Sequence, residues 1–366
     1  MAPLLLLALS ACSSGDDPTV GSEGSDPGAA SPEVAVPVPA GPVPPGFSPL
    51  SASFLTPLTG WALGSSDCGQ PPCTTLVRTA DAGRTWGAVE APPADTQGFG
   101  DGNVTDVRFG SASDGFAYGG GLFATHDGAR TWTKVPVDGD VEALAVGGGR
   151  VWVVVAGGCG EEGCAGPASL LSGPLGGGAL TPVPGVSLPG RGLDRVTVSG
   201  SSVYASGADD TSSVLWAGTL DGTFTRRSLP CAAGAVPSFA APATPVGSAA
   251  LVCAAETETA VVRQAFTSTD AGAAWTRVGD PPQVEGGTVL AASPDALYVS
   301  DGTTGVSASR DGGRTWEPSL TTAEGGASYV SFVDNAFGFA LAQTGPETSG
   351  LLLTTDAGRT WTPTTF

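Results

Sequence analysis

Thr354-Thr355-Asp356-Ala357-Gly358-Arg359-Thr360-Trp361 decides the fold, because near-copies of this octapeptide occur four more times. They read Thr79-Ala-Asp-Ala-Gly-Arg-Thr-Trp86, Thr125-His-Asp-Gly-Ala-Arg-Thr-Trp132, Ser268-Thr-Asp-Ala-Gly-Ala-Ala-Trp275 and Ser309-Arg-Asp-Gly-Gly-Arg-Thr-Trp316. In each, a small hydroxyl residue stands two before an Asp, and a Trp stands five after it. The acids are Asp81, Asp127, Asp270, Asp311 and Asp356, so successive gaps are 46, 143, 41 and 45 residues. The long gap is close to three periods, and two worn copies fill it. Ser172-Gly-Pro-Leu-Gly-Gly-Gly-Ala-Leu180 has Pro174 in the Asp place. Thr219-Leu-Asp221-Gly-Thr-Phe224 keeps the acid and has a Phe near the Trp place. Seven repeats follow.

A period in the forties specifies a propeller or a helical array. Each repeat holds four short apolar or alternating runs broken by Gly, Pro, Asp or Ser, without helical periodicity. The seventh reads Ala327–Val333, Phe337–Ala342, Leu351–Thr355 and Trp361–Phe366. The expected fold is all-β: a seven-bladed β-propeller of four-stranded antiparallel blades. The octapeptide falls between the third and fourth strands, where its Asp and hydroxyl can accept amides that a tight turn leaves unpaired. Glycine supplies the turn's backbone angles. The Trp residues (Trp86, Trp132, Trp275, Trp316, Trp361) are expected to bury themselves across the blade. Seven complete blades leave no strand to exchange, so blades 1 and 7 should meet by side-chain packing.

The start of the chain divides into two segments. Residues 1–12 form an apolar run ending Leu9-Ser10-Ala11-Cys12. This ending resembles the lipobox of bacterial lipoproteins, and the resemblance implies acylation at Cys12 and attachment to the membrane through lipid. The run is too short to span a bilayer. Residues 13–46 are rich in Ser, Gly, Asp, Pro and Ala and read as a flexible tether. The propeller is assigned to residues 47–366.

Fifteen Lys and Arg against thirty-five Asp and Glu give a formal charge of −20, which excludes a basic nucleic-acid-binding stripe. Setting Cys12 aside leaves six cysteines, an even number that fits a disulfide framework in an exported chain. Cys68–Cys73 and Cys159–Cys164 share a C-x4-C spacing between second and third strands, and Cys231 and Cys253 remain. Sequence locality favours the pairs 68–73, 159–164 and 231–253. A metal site would need converging ligands, and the single His lies inside an octapeptide, so neither a metal nor a cofactor is expected.

The octapeptide resembles the Asp box, or BNR repeat, found in sialidases among other proteins. Sialidase chemistry needs an arginine triad, a Tyr–Glu nucleophile pair and an acidic Asp, and comes with an Arg-Ile-Pro segment that this chain lacks. A second string, Val-x-Phe-x5-Gly-aromatic-Ala, recurs as Val107-Arg-Phe109…Gly115-Phe-Ala117 and Val330-Ser-Phe332…Gly338-Phe-Ala340. It recurs loosely as Ala52-Ser-Phe54…Gly60-Trp-Ala62. From Phe47 to Phe366 the chain thus resembles the seven-bladed Asp-box propellers typified by photosystem II assembly and stability factors and their bacterial relatives. The resemblance implies a monomeric, non-catalytic binding or assembly scaffold, with a cell-envelope protein or glycan as partner. The alternative is an exo-sialidase-like or other glycoside hydrolase acting on extracellular glycans. The candidate ligand face carries the loops between second and third strands, where Asp67, Glu161, Glu162, Asp209, Asp210, Asp301 and Glu347 collect.

Overall fold

The computed structural model describes residues 41–68, 73–96, 102–157, 159–160, 163–164, 166–190, 194–208, 213–232, 234–242, 244–256, 261–283, 288–322, 325–345 and 348–366. The side chains of residues 159, 160, 163, 164, 256 and 301 are excepted. Seven four-stranded antiparallel sheets form the fold, each made from consecutive stretches of chain. Their innermost strands are Ser48–Phe54, Asp106–Phe109, Asp140–Gly147, Arg195–Ser199, Val236–Ala240, Val289–Ala291 and Ala327–Phe332. Neighbouring blades touch in chain order, and the first touches the seventh, which closes the ring. Among the described residues no strand is exchanged between blades. The worn repeats form blades like the others. Pro174 ends the third strand of blade 3, Ala168–Pro174, and Asp221 follows the third strand of blade 4, Ser213–Thr219.

The octapeptide turn is built from two hydrogen-bonding side chains. In blade 7, Thr354 Oγ1 donates to Asp356 Oδ1 (2.8 Å) and accepts the amide of Gly358 (2.9 Å). Asp356 Oδ1 also accepts the amides of Arg359 and Thr360, and Oδ2 accepts the Thr360 hydroxyl at 2.7 Å. The same set recurs around Asp127 and Asp311. Around Asp270 the hydroxyl donor is replaced by Ala274, which offers only its amide. Both residues after each of these acids are left-handed. Ala82, Ala129, Ala271 and Ala357 hold φ of 57–65°, so alanine as well as glycine occupies this conformation.

The turn tryptophans depart from expectation: all five are only partly buried, whereas Trp61 and Trp152 on second strands are completely buried. The fourth strand is the outer edge of its blade, so a ring there always keeps one side toward water. Each turn Trp packs instead into the seam with the preceding blade. Trp132 Nε1, for example, donates to Glu90 O of blade 1 (2.9 Å), and Trp361 Nε1 to Ser319 Oγ of blade 6 (3.1 Å). Phe224 takes the equivalent place in blade 4, edge-on to Trp152 of blade 3.

The recurring Phe and Gly now have a physical reason. Phe54, Phe109 and Phe332 end innermost strands and pair directly with Gly60, Gly115 and Gly338. Only glycine leaves room for each ring. The ring then stands edge-on to the turn Trp of its own blade, with centroids 6.1–6.4 Å apart. Its other face meets the preceding blade, most closely where Trp61 stacks on Phe109 at 3.7 Å and Tyr298 on Phe332 at 4.2 Å. The closing seam between blades 7 and 1 is also aromatic, with Phe54 against Phe337 and Phe339. Phe47 and Phe366 meet at 4.7 Å beside Trp86.

Candidate functional site

Disulfides join Cys68 to Cys73 and Cys231 to Cys253, with Cα atoms 5.8 and 5.4 Å apart. Cys159 and Cys164 are directly paired positions of a two-stranded hairpin, and their side chains lie outside the described residues. The two bridges fit an oxidising, extracytoplasmic environment. Among the described residues no helix is long and apolar enough to cross a membrane.

Most of the proposed acidic face lies outside the described residues: Glu161, Glu162, Asp209, Asp210 and Glu347 do, as does the side chain of Asp301, and so does Cys12. Asp67 is exposed just beyond the second strand of blade 1, with its amide bonded to Pro45 O at 3.0 Å. The octapeptide acids sit at the opposite end of the blades, between third and fourth strands. The Thr315 amide and hydroxyl hold Asp311 at about 2, and the Thr360 amide and hydroxyl do the same for Asp356. Carboxylates so held stay ionised at neutral pH and are tied to their own turns.

Sequence reasoning missed a constellation on the innermost strands. Arg108 of blade 2 donates from Nη2 to the hydroxyl of Tyr329 of blade 7 (3.3 Å). Blade 1 lies between those blades in the ring, so the bond links innermost strands of two blades that are not neighbours. Tyr329, together with Tyr118 and Asp106, holds the guanidinium charged. Asp106 Oδ1 in turn accepts the Ser51 hydroxyl of blade 1. Of the four tyrosines, Tyr118, Tyr204 and Tyr298 are buried, but Tyr329 is partly open.

Two β-bulges shape the same region. Register shifts in blades 1 and 7 fall at Leu50 and Ser328, one or two residues before the level of Arg108 and Tyr329. A bulge re-aims its extra residue away from the sheet. Leu50 is accordingly 44% exposed at the inner edge of the ring, unusual for a leucine inside a strand. Ser328 is exposed beside Tyr329. The innermost strands of blades 7, 1 and 2 therefore carry an exposed leucine, a guanidinium tied to the Tyr329 phenol, and Ser328, whose hydroxyl donates to Leu341 O at 3.3 Å.

No family model and no curated protein matches this sequence. Solved structures do. The chain is similar to YCF48 bound to D1 peptide, with TM-score 0.57 and 17% identity over 87% of this chain and 96% of that one. YCF48 from Cyanidioschyzon merolae gives TM-score 0.58 at 14% identity over 88% and 99%. A GH74 xyloglucanase from Xanthomonas campestris gives 0.51 at 13% identity over 86% of this chain and 60% of that one. At these identities the likeness establishes the propeller fold, which is shared by binding proteins and glycan-processing enzymes alike.

Proposed function

We propose that this chain is an extracytoplasmic, non-catalytic Asp-box propeller, lipid-anchored through Cys12, that binds a polypeptide of the cell envelope at the opening between blades 7, 1 and 2. The observation that carries this reading is the Arg108–Tyr329 bond between innermost strands, with the bulged, exposed Leu50 on the innermost strand of the intervening blade 1. Together they match an extended peptide, which brings a backbone carbonyl or carboxylate to the guanidinium and an apolar side chain to Leu50. The solved YCF48 bound to D1 peptide supports it as a propeller of similar size that holds a peptide. The glycan-hydrolase reading rests on the xyloglucanase likeness. It gains little from the carboxyls of the innermost strands, since Asp140 is buried and Asp106 is engaged by Ser51.

The test compares the full chain with Leu50→Asp and Arg108→Gln in a photo-crosslinking capture from envelope extract. A defined polypeptide should attach to the wild type and be lost from both variants while their melting temperatures hold. Cleavage of an envelope polysaccharide by the wild type would replace this reading with the hydrolase.

A further inference from the structure

The segment that leads into blade 1 is built onto its outer edge. Gly41 and Ala88 exchange both backbone hydrogen bonds, Gly41 N to Ala88 O and Ala88 N to Gly41 O, each at 2.9 Å. Ala88 is the middle residue of the outermost strand, Gly87–Val89, where an unpaired amide would leave an open sheet edge. Among the described residues no other outermost strand gains such a bridge. Pro45 O then accepts the amide of Asp67, just beyond the second strand, at 3.0 Å. Gly46 turns the chain at φ of 68°, where a Cβ would stand 2.3 Å from Asp67 Oδ2. Phe47 lies against Gly64 of the second strand and meets Phe366, beyond the outermost strand of blade 7, at 4.7 Å. Val43 and Phe47 both pack on the cluster that joins Ala52, Ala62 and Val77 of blade 1 to Phe339, Leu341 and Leu351 of blade 7.

We infer that residues 41–47 are a releasable clasp on the seam between blades 7 and 1, holding the ring shut while docked and freeing that one seam when detached. Six seams join blades that the chain itself links, so a blade that parts from its neighbour there stays tethered to it. The 7–1 seam has no such link. In an array of nearest-neighbour contacts it is the interface that opens most readily. The clasp supplies the link without a covalent bond, by backbone pairing on the outer edge of blade 1 and by a ring set on Phe366 from blade 7.

Its sequence suits a part that docks and leaves as a unit. Pro42, Pro44 and Pro45 restrict the backbone before docking, which lowers the entropy lost on docking. They carry no amide, so the edge pairing falls to Gly41. Gly41, Pro42, Pro45 and Gly46 are exposed, while Val43 and Phe47 supply the apolar contacts. A segment held by so few contacts opens well below the global transition. The inference is independent of what the ring binds and of how the chain is anchored.

Hydrogen exchange on the full chain tests it. Gly41→Ala is the control: a methyl group there meets nothing within 4 Å, and the amide is kept, so exchange should match the wild type. The double variant Gly41→Pro with Phe47→Ala removes the donor to Ala88 O and the ring on Phe366. Exchange should then accelerate at least about tenfold in Cys73–Thr79 and Thr348–Thr354, the third strands of blades 1 and 7. It should stay at the wild-type rate in Arg150–Ala156 of blade 3. Equal acceleration in all three strands would make the segment a general stabiliser and overturn the clasp, as would no acceleration beside the seam. Should the double variant not fold, Gly41→Pro alone serves: it should give the same pattern at about threefold, and an even or absent response overturns the proposal.

Discussion

Gly115 faces Phe109 so closely that a methyl group on it would stand 2.4 Å from ring atom Cε1. The ring cannot retreat, because Trp61 of blade 1 is stacked on it at 3.7 Å. Gly115→Ala should therefore destabilise the fold by about 1–3 kcal/mol through overpacking. Urea denaturation measures this. A loss below about 0.5 kcal/mol, within the range of ordinary surface changes, would mean that the glycine is not there to admit the ring.

Ala357 holds φ of 60°, a conformation costing a residue with a Cβ about 1–2 kcal/mol. Glycine removes that strain but adds freedom to the unfolded chain, worth about 0.4–1 kcal/mol. Ala357→Gly is expected to be neutral or stabilising by up to about 1 kcal/mol, and Ala357→Val to be clearly destabilising. Chemical denaturation ranks the three, and a valine variant as stable as the glycine one contradicts the turn geometry.

Acid should attack the octapeptide turns. Asp311 and Asp356 sit at about 2, below the ordinary value near 4, so their contribution is present above pH 4 and is lost as pH falls through 2. In Asp356→Asn the turn no longer titrates. Its melting temperature should be lower near neutrality and fall less steeply than that of the wild type between pH 4 and 2. Parallel curves would remove this carboxylate from the account of acid unfolding.

The disulfides differ in the loop they close. Cys231–Cys253 spans 22 residues and Cys68–Cys73 spans 5. Chain entropy assigns them about 3 and 2 kcal/mol respectively. Replacing each pair by serines should reproduce that order in calorimetry, with the longer bridge the greater loss. The reverse order would place their effect in the native state.

Phe47 and Phe366 are expected to couple. Their rings meet at 4.7 Å and 71°, an edge-to-face arrangement worth about 0.5–1.5 kcal/mol beyond burial. A double-mutant cycle with alanine at both positions measures the term directly, and additive effects would show that the rings merely share a seam.

The blade count and the turns were legible because they are local: one octapeptide fixes one turn, and its period fixes the number of blades. The Phe–Gly spacing was legible as a pattern, but its reason was not, since it lies in the neighbouring blade that stacks on the ring. Arg108 and Tyr329 are 221 residues apart, and only the curvature of the ring brings them together. Nothing in either segment marks them. Leu50 carries no motif, and it is the bulge in the innermost strand of blade 1 that marks it out.

Seven sheets built from consecutive stretches of chain also govern how the molecule is assembled in time. Each blade can complete its own pairing as soon as its four strands exist, and every join from blade 1 to blade 7 then adds a neighbour already at hand. Such local steps are fast. The one distant encounter is the meeting of Phe54 with Phe337 and Phe339, which must close almost the whole chain into a loop. Loop-closure entropy grows only slowly with length, and six preformed seams already bend the chain toward closure. The aromatic seam between blades 7 and 1 is thus the last to form, and a chain interrupted before Phe337 would hold six exposed-edge blades with no partner for Phe54.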